Sequence, residues 1–364
     1  MKISEIISAI EELAPIHLKE EYDNPGLQVG DSSVEATGAL LCVDVTEEVV
    51  EEAIECGINL IISHHPILFK GLKSVTGKNY IERVVIKAIK HDIVIYSAHT
   101  NLDNAYGGVN YRIAQNLNLS NVRVLSPLNN QLLKLVVFVP VAAADNVRLA
   151  MLNSGAGKIG DYDMCSYNMS GYGTFRACEG ANPYCGEIGS IHTENEVRIE
   201  VVLPIYLKNK VVDAMLKVHP YQEPAYDIIK LENANIYAGS GVIGELSDDV
   251  TTEDFLKRIK KVFNVESIKY SSVLKEKIKR VALCGGSGAF LINNAIRANA
   301  DVFITGEIGY HNFFTAENKI LLVEAGHYET EQCIKDIFCD IITKKFPNFA
   351  VRYTNVRINP INYL

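Results

Sequence analysis

The stretch Asn59–Phe69, NLIISHHPILF, constrains the fold more than any other part of the chain. Leu60, Ile61 and Ile62 are all apolar, so both faces of the strand they form must be covered, as in parallel α/β sheets. Ligands of such sheets gather beyond the carboxyl ends of the strands. Ser63, His64, His65 and Pro66 stand at that end, with the proline closing the strand. Two adjacent imidazoles point different ways, which suits two metal ions better than one. The alternative is one core histidine beside one surface histidine.

The same pattern runs through both ends of the chain. A helix over 2–13, a turn segment EYDNPGLQVGD (21–31), strand GALLCVDV and helix TEEVVEEAIECG precede the His-His strand. Asn24 and Gln28 read as parts of a structural turn rather than as site residues. A helix over 79–90 follows, then strand IVIYS running into AHTNLD (98–103), then a helix opened by Gly107 and Gly108. From Gly239 the alternation returns: a helix over 251–263, strand RVALCGGSG, a helix over 290–299, strand DVFITGE, strand KILLVEAGH and a C-terminal helix. Strands alternating with helices at these lengths predict mainly parallel sheets.

Between them, LKLVVFVP, AAADNVRLAMLNSG, EVRIEVVLP, a helix through Val218 and AYDIIKLEN follow the split βαβ order of ferredoxin-like domains. The expected fold is therefore α/β, with two repeated βα halves and mainly parallel sheets forming one metal-binding core. Residues 1–126 and 237–364 are its halves, and 127–236 is a ferredoxin-like α+β insert. In the insert, the glycines at 171–173 and 186–189 lack the context of a phosphate-binding loop and read as loop geometry. Gly285, Gly286, Ser287 and Gly288 lie between a strand and a helix. They form either an anion cradle of backbone N–H groups or a tight turn that needs glycine.

The two outer segments also look like copies of each other. AIECGINLIISHH (53–65) lies over AIRANADVFITGE (295–307) without a gap, and SAHTNLD (97–103) over AGHYETE (325–331). His99 then falls on His327 and Asp103 on Glu331, each pair spaced i, i+4 on one face of a helical turn. If the copies face each other, His64, His65, Asp103, His327 and Glu331 converge on one cleft. Three imidazoles and two carboxylates suit two divalent ions with a carboxylate bridging, and zinc, iron and manganese all accept that donor set. His99 fits either as a further ligand or as the group that orients one. Glu307 and His311, brought opposite the His-His pair by the repeat, fit rim or proton-transfer positions. In the insert, His192 and His219 have no partner at metal spacing.

Composition narrows the class. At 364 residues, 48% hydrophobic and 22% charged, the chain reads as a globular protein of two or three domains. A net charge of −9 argues against a nucleic-acid or membrane-surface binder. A metal could still supply positive charge to an anionic substrate. The cysteines form no C-x-x-C pair, and Cys42 and Cys284 sit in apolar runs, as reduced core thiols do. With no signal peptide and no apolar stretch of membrane length, a cytoplasmic protein is expected.

SHHPILF, HTNLD and GHYETE together resemble the GTP cyclohydrolase type 2 homolog family, also called the NGG-interacting-factor family. YDNPGLQVG and GGSG match as well, and GYGTFRACEGANPYCGEIGSIHTENEVRIE resembles the PII- or CutA-like insert of its longer bacterial members. The similarity covers nearly the whole chain. It implies a dimetal site carried by His64, His65, Asp103, His327 and Glu331. It also implies a toroidal homohexamer with the sites facing the interior and the inserts towards the ends. Tyr22 stands where many members have tryptophan, and Cys178 and Cys185 are departures within the insert; none of the three is a ligand position. Two readings follow. One is a metal-dependent hydrolase that opens the purine ring of a GTP-like nucleotide or cleaves a phosphoester, with His99, Glu307 or His311 carrying protons. The other is a non-catalytic, metal-binding oligomeric scaffold or regulator whose insert binds an effector or partner.

Overall fold

The computed structural model describes residues 1–362. The chain forms two compact units: Met1–Pro127 together with the chain from Ile236, and Leu128–Asn235. Both are mixed α/β, and the sheets of the first unit are built on parallel strands with antiparallel edges. No helix of the described residues is long and apolar enough to cross a membrane.

The first sheet of the larger unit runs in the order Gly26–Val29, Val94–Ser97, Leu60–Ser63, Ala39–Cys42, Val351–Tyr353. Val94–Ser97, Leu60–Ser63 and Ala39–Cys42 are buried at every residue, because helices cover both faces of a parallel sheet. Their register sets Cys42, Ser63 and Ser97 side by side at the carboxyl ends. Gly26–Val29 lies in the segment that reads as a turn, yet it pairs antiparallel with Val94–Ser97. Four residues bounded by two glycines carry too little alternation to announce a strand. The turn chemistry around it is structural: the Asn24 amide donates to Leu68 O at 2.7 Å, and Gln28 Oε1 accepts from Leu68 N.

The second sheet runs Lys269–Tyr270, Leu321–Glu324, Val302–Thr305, Lys277–Cys284, Asn235–Thr251, Leu119–Leu128. Its three parallel strands align Cys284, Thr305 and Glu324 at their carboxyl ends. Phe303, Leu322 and Ala282 pack there against Leu291, Ile292 and Ala295. The helix expected over 290–299 begins as a 3-10 turn, Ala289–Leu291, and continues as Ile292–Arg297.

The smaller unit has the element order strand Leu132–Pro140, helix Ala144–Asn153, strands Tyr167–Arg176 and Ile191–Pro204, helix Lys208–Val218, strand Tyr226–Leu231. The sheet order is Tyr167–Arg176, Ile191–Pro204, Leu132–Pro140, Tyr226–Leu231, and every neighbouring pair is antiparallel. Alternate residues Leu133, Leu135, Val137 and Val139 face Val147, Met151, Val211 and Met215 of the two helices, which gives this unit its own core.

Candidate metal centre

Strand ends and two short helices of the larger unit build the site. The backbone N–H groups of His64 and His65 both donate to Val43 O, at 3.1 and 2.9 Å, so the chain turns sharply after Ser63. The buried hydroxyls of Ser63 and Ser97, 2.7 Å apart, lie 2.9 and 3.2 Å from His65 O and pin that turn. The chain after Val94–Ser97 enters helix Thr100–Asp103, and the chain after Leu321–Glu324 enters helix His327–Glu331. His327 and Glu331 thus share a helical face, with His327 Nε2 3.1 Å from Glu331 Oε2.

The four histidine rings are held alike. The Nδ1 of His64 lies 2.8 Å from Ala98 O, and that of His65 2.8 Å from Asp44 Oδ1. Nδ1 of His99 lies 2.8 Å from Asp23 Oδ1, and Nδ1 of His327 3.0 Å from Glu307 Oε1. A carbonyl or carboxylate oxygen accepts, so each Nδ1 carries a proton and each Nε2 is left for other work, as in metal-ligating histidines. His64 Nε2 stands 3.6 Å from Asp103 Oδ1 and 3.7 Å from Glu331 Oε1. His65 Nε2 stands 3.1 Å from Glu331 Oε2 and 3.4 Å from His327 Nε2. The His99 ring lies 5.1 Å from that of His64 and 5.2 Å from that of His65, centre to centre. Donor atoms of His64, His65 and His99, and of His65, His327 and Glu331, form two groups tight enough to hold an ion.

This donor set fits a cation. His64 Nε2 is buried and has no hydrogen-bond partner. When neutral, with its Nδ1 proton given to Ala98, His64 presents an Nε2 lone pair to two carboxylate oxygens. Such facing acceptors repel in a buried site unless a positive charge lies among them.

The charges are correspondingly coupled. Burial would raise the Glu331 carboxyl, but the imidazoles of His64, His327 and His65 outweigh it and hold it well below the usual range. Asp103 goes the other way: burial, and then the Glu331 charge, push it up to about 7. Burial would lower His65, yet Asp44 and Glu331 raise it to about 10. The same contest, won by Glu331, raises His327 to about 9. Burial also opposes ionisation of Asp23, but His99 and Thr100 bring it down to about 2. In the bare polypeptide, protons on His65 and His327 therefore neutralise Glu331, and any cation bound there would have to displace them.

Glu307 Oε2 accepts from the Ser287 hydroxyl at 2.9 Å, so it ties the glycine loop to His327. His311 packs on Tyr310 and Phe314 in the 3-10 helix Tyr310–Ala316. It does not line the cavity of about 210 Å³ beside the cluster, which is walled by Tyr22, Phe69, His99, Asp103, Ser287 and Phe290. In the loop itself the N–H groups of Gly285, Gly286 and Gly288 donate to Asn110, Thr330 and Thr305, which leaves them unavailable to an anion. Glycine serves there for close approach instead.

Asp44 and Asp23, absent from the sequence-derived set, orient His65 and His99. Asp44 had a signal: it lies two residues beyond the strand Ala39–Cys42, level with the His-His turn of its neighbour. In the smaller unit, His219 Nε2 lies 3.0 Å from Phe138 O and its Nδ1 accepts from Tyr221 N. His192, however, has company: Cys185 and Glu194 offer donor atoms within 4.8 Å. The expectation that it lacks a partner at metal spacing is wrong, because Cys185 arrives through a loop that strand spacing does not reveal. That unit also contains a cavity of about 760 Å³ lined by its own residues.

Relatives carry the same architecture. The Duf34/NIF3 (NGG1p interacting factor 3) family profile matches residues 1–360. A protein of Halalkalibacterium halodurans named GTP cyclohydrolase 1 type 2 homolog is 39% identical over 364 residues, 99% of this chain and 98% of that protein. A Bacillus subtilis protein of the same name is 38% identical over 371 residues, with the same shares covered. Among solved structures, a Bacillus cereus protein related to NIF3 superposes with a TM-score of 0.87 at 37% identity, over 100% of this chain and 99% of that one. A Staphylococcus aureus protein gives 0.78 at 30% identity over the same shares. With the profile and full-length relatives in agreement, the chain belongs to the DUF34/NIF3 family.

Proposed function

We propose that this chain holds two divalent ions on His64, His65, Asp103, His327 and Glu331 and hydrolyses a nucleotide or related phosphoester. Opening of a purine ring, which the relatives' name GTP cyclohydrolase 1 type 2 homolog supports, is one case, and phosphoester cleavage with the same ions is the other. The observation that carries the reading is the convergence of three histidine Nε2 atoms, each ring tied through Nδ1, on the one buried carboxylate of Glu331. Glu331 Oε1 faces His64, which also faces Asp103, while Oε2 faces His65 and His327. That division supports a carboxylate bridging two ions. Imidazole with carboxylate suits zinc, iron or manganese. Bound ions would lower the pKa of a water and polarise the bond attacked.

The chain's own groups do the rest. Asp44 and Glu307 keep the ligand rings oriented, and Asp23 holds His99 so that its free nitrogen can take or give a proton beside the cavity. Glu307, hydrogen-bonded to His327, is a further proton carrier. Tyr22, Phe69 and Phe290 give the cavity aromatic walls suited to a planar base.

The finer architecture belongs to the same proposal. His99–Asp103 and His327–Glu331, each following a parallel strand, support an internal repeat. The antiparallel strand order of the smaller unit supports a ferredoxin-like, PII- or CutA-like insert over 127–236. The family resemblance supports a toroidal homohexamer. Eight free thiols support a reducing, cytoplasmic setting.

Elemental analysis of protein purified without chelator should find about two equivalents of metal per chain that depend on the core cluster. His65→Ala and Glu331→Ala should each lose metal, and full retention by both would remove the site assignment. GTP and generic phosphodiesters should be assayed with ring opening and phosphate release followed separately. Phosphoester cleavage alone would redirect the reading to a general metallohydrolase. The second reading, a scaffold without turnover whose insert binds an effector, is favoured by the 760 Å³ cavity. It takes over if fully metallated protein turns over nothing while a nucleotide binds residues 128–235.

A further inference from the structure

Strand Ile191–Pro204 opens with His192-Thr193-Glu194-Asn195-Glu196. The two-residue period turns His192, Glu194 and Glu196 to one face. The neighbouring strand leaves room there: Phe175 pairs with His192, Gly173 with Glu194 and Gly171 with Glu196. A Cβ at Gly173 would sit 2.4 Å from a Glu196 carboxylate oxygen. The Phe175 ring backs His192 at 5.3 Å, and Tyr221 donates its hydroxyl to Glu196 at 2.7 Å.

The connection over 177–190 contains no helix, only a single bridge between Ala177 and Ile188. Long connections without structure of their own are uncommon in compact domains and are usually either functional or linker segments. This one brings Cys185 back over the strand. The half-buried Cys185, His192 and Glu194 each place a donor atom within 4.8 Å of the other two, and His192 Nε2 lies 2.9 Å from Glu194 Oε2. The cavity of the same unit adjoins them through Phe175, Tyr184, Glu196 and Tyr221.

We propose that Cys185, His192 and Glu194 form a second, independent metal site for one divalent transition ion of the zinc type. Sulfur, imidazole and carboxylate together select zinc or cobalt over magnesium and calcium, which prefer oxygen alone. Three protein ligands leave the fourth position to water or to a donor atom of a molecule in the adjoining cavity. On binding, the Cys185 thiol releases its proton to solvent, and the ion replaces the His192–Glu194 contact. The ion then fastens the 177–190 connection to the sheet edge, where the apolar core of this unit does not reach.

Cobalt(II) separates this site from the core cluster, because a cobalt–thiolate bond gives a near-ultraviolet charge-transfer band and the core donor set contains no sulfur. Full-length protein stripped with chelator and titrated with cobalt(II) should develop that band. Cys185→Ser should lose it, whereas Cys284→Ser, at the thiol beside the core cluster, should keep it. His192→Ala, and the conservative Glu194→Gln, should weaken the cobalt uptake read at this band by more than about tenfold. Total cobalt by elemental analysis should fall by about one equivalent in Cys185→Ser and by the core's share in Glu331→Ala, so the two sites fail or succeed separately. Full cobalt uptake without the band, a band that persists in Cys185→Ser, or a band lost only in Cys284→Ser would overturn the proposal.

Discussion

At Gly286 the backbone holds φ +60°, and a Cβ would sit 2.0 Å from Glu331 Oε1 and 3.3 Å from His327 Nε2. Gly286→Ala should therefore push Glu331 off the cluster and strip most of the metal, while left-handed strain costs only about 1–3 kcal/mol of stability. Elemental analysis beside thermal unfolding in chelator checks both, and normal metal content would deny Glu331 its central place. Asp44→Asn should keep the fold but free the His65 ring, cutting metal affinity about 10–100-fold in competition with a chelating dye. The pH dependence follows from the same residues. His65 and His327, raised to about 10 and about 9, contribute stability fully below their ordinary value of 6.5 and lose it as pH rises through those values. Asp103, raised to about 7, contributes below its ordinary 3.8 and loses it through about 7. Chelated protein should thus lose stability as pH rises from 6.5 to 9 through the two histidines, with Asp103 adding to the fall only up to about 7. Metal affinity should rise over the same range as the competing protons leave. Thermal unfolding against pH, with and without metal, reads the opposed slopes.

Among the elements, strand Leu60–Ser63 carries the His-His turn on a fully packed base, and hydrogen bonds to Val43 O and from Ser63 hold the turn itself. Ile62 is fully buried there, so Ile62→Ala should cost about 2–5 kcal/mol and lower the melting temperature even in chelator. His65→Ala, by contrast, should lose metal while the chelated protein melts close to wild type. Equal losses of stability in the two variants would mean that the histidine is a core residue. The buried strands were legible because continuous apolar runs have few other fates. Gly26–Val29, Leu119–Leu128 and Val351–Tyr353 were not, since each lies at a sheet edge and much of each is exposed or half-exposed. Their order comes from pairing with a neighbour rather than from their own alternation.

For the molecule as a whole, strands Leu119–Leu128 and Asn235–Thr251 are neighbours in the second sheet. The chain therefore leaves the larger unit and re-enters it on adjacent strands. Deleting 130–232 and closing with a short Gly/Ser linker should leave a folded core that still binds the core metal, because every residue of that cluster stays. Soluble expression, circular dichroism and elemental analysis check this. Insoluble protein would show that residues 128–235 take part in the folding or assembly of the rest.

The sequence by itself determined the α/β class, the strand ends on which the candidate ligands stand and the core ligand candidates. Each of these rests on local periodicity: apolar runs, and His-to-carboxylate spacings of one helical turn. Only the tertiary structure decided how those residues are held. It put Asp23 against His99, Asp44 against His65 and Glu307 against His327, and it spent the glycine loop's N–H groups on Asn110, Thr330 and Thr305. It also brought Cys185 to His192 and Glu194. These contacts follow from which strands lie side by side and where loops return. Asp23 and His99, 2.8 Å apart in space, stand 76 residues apart in the chain, a distance over which no local pattern carries information.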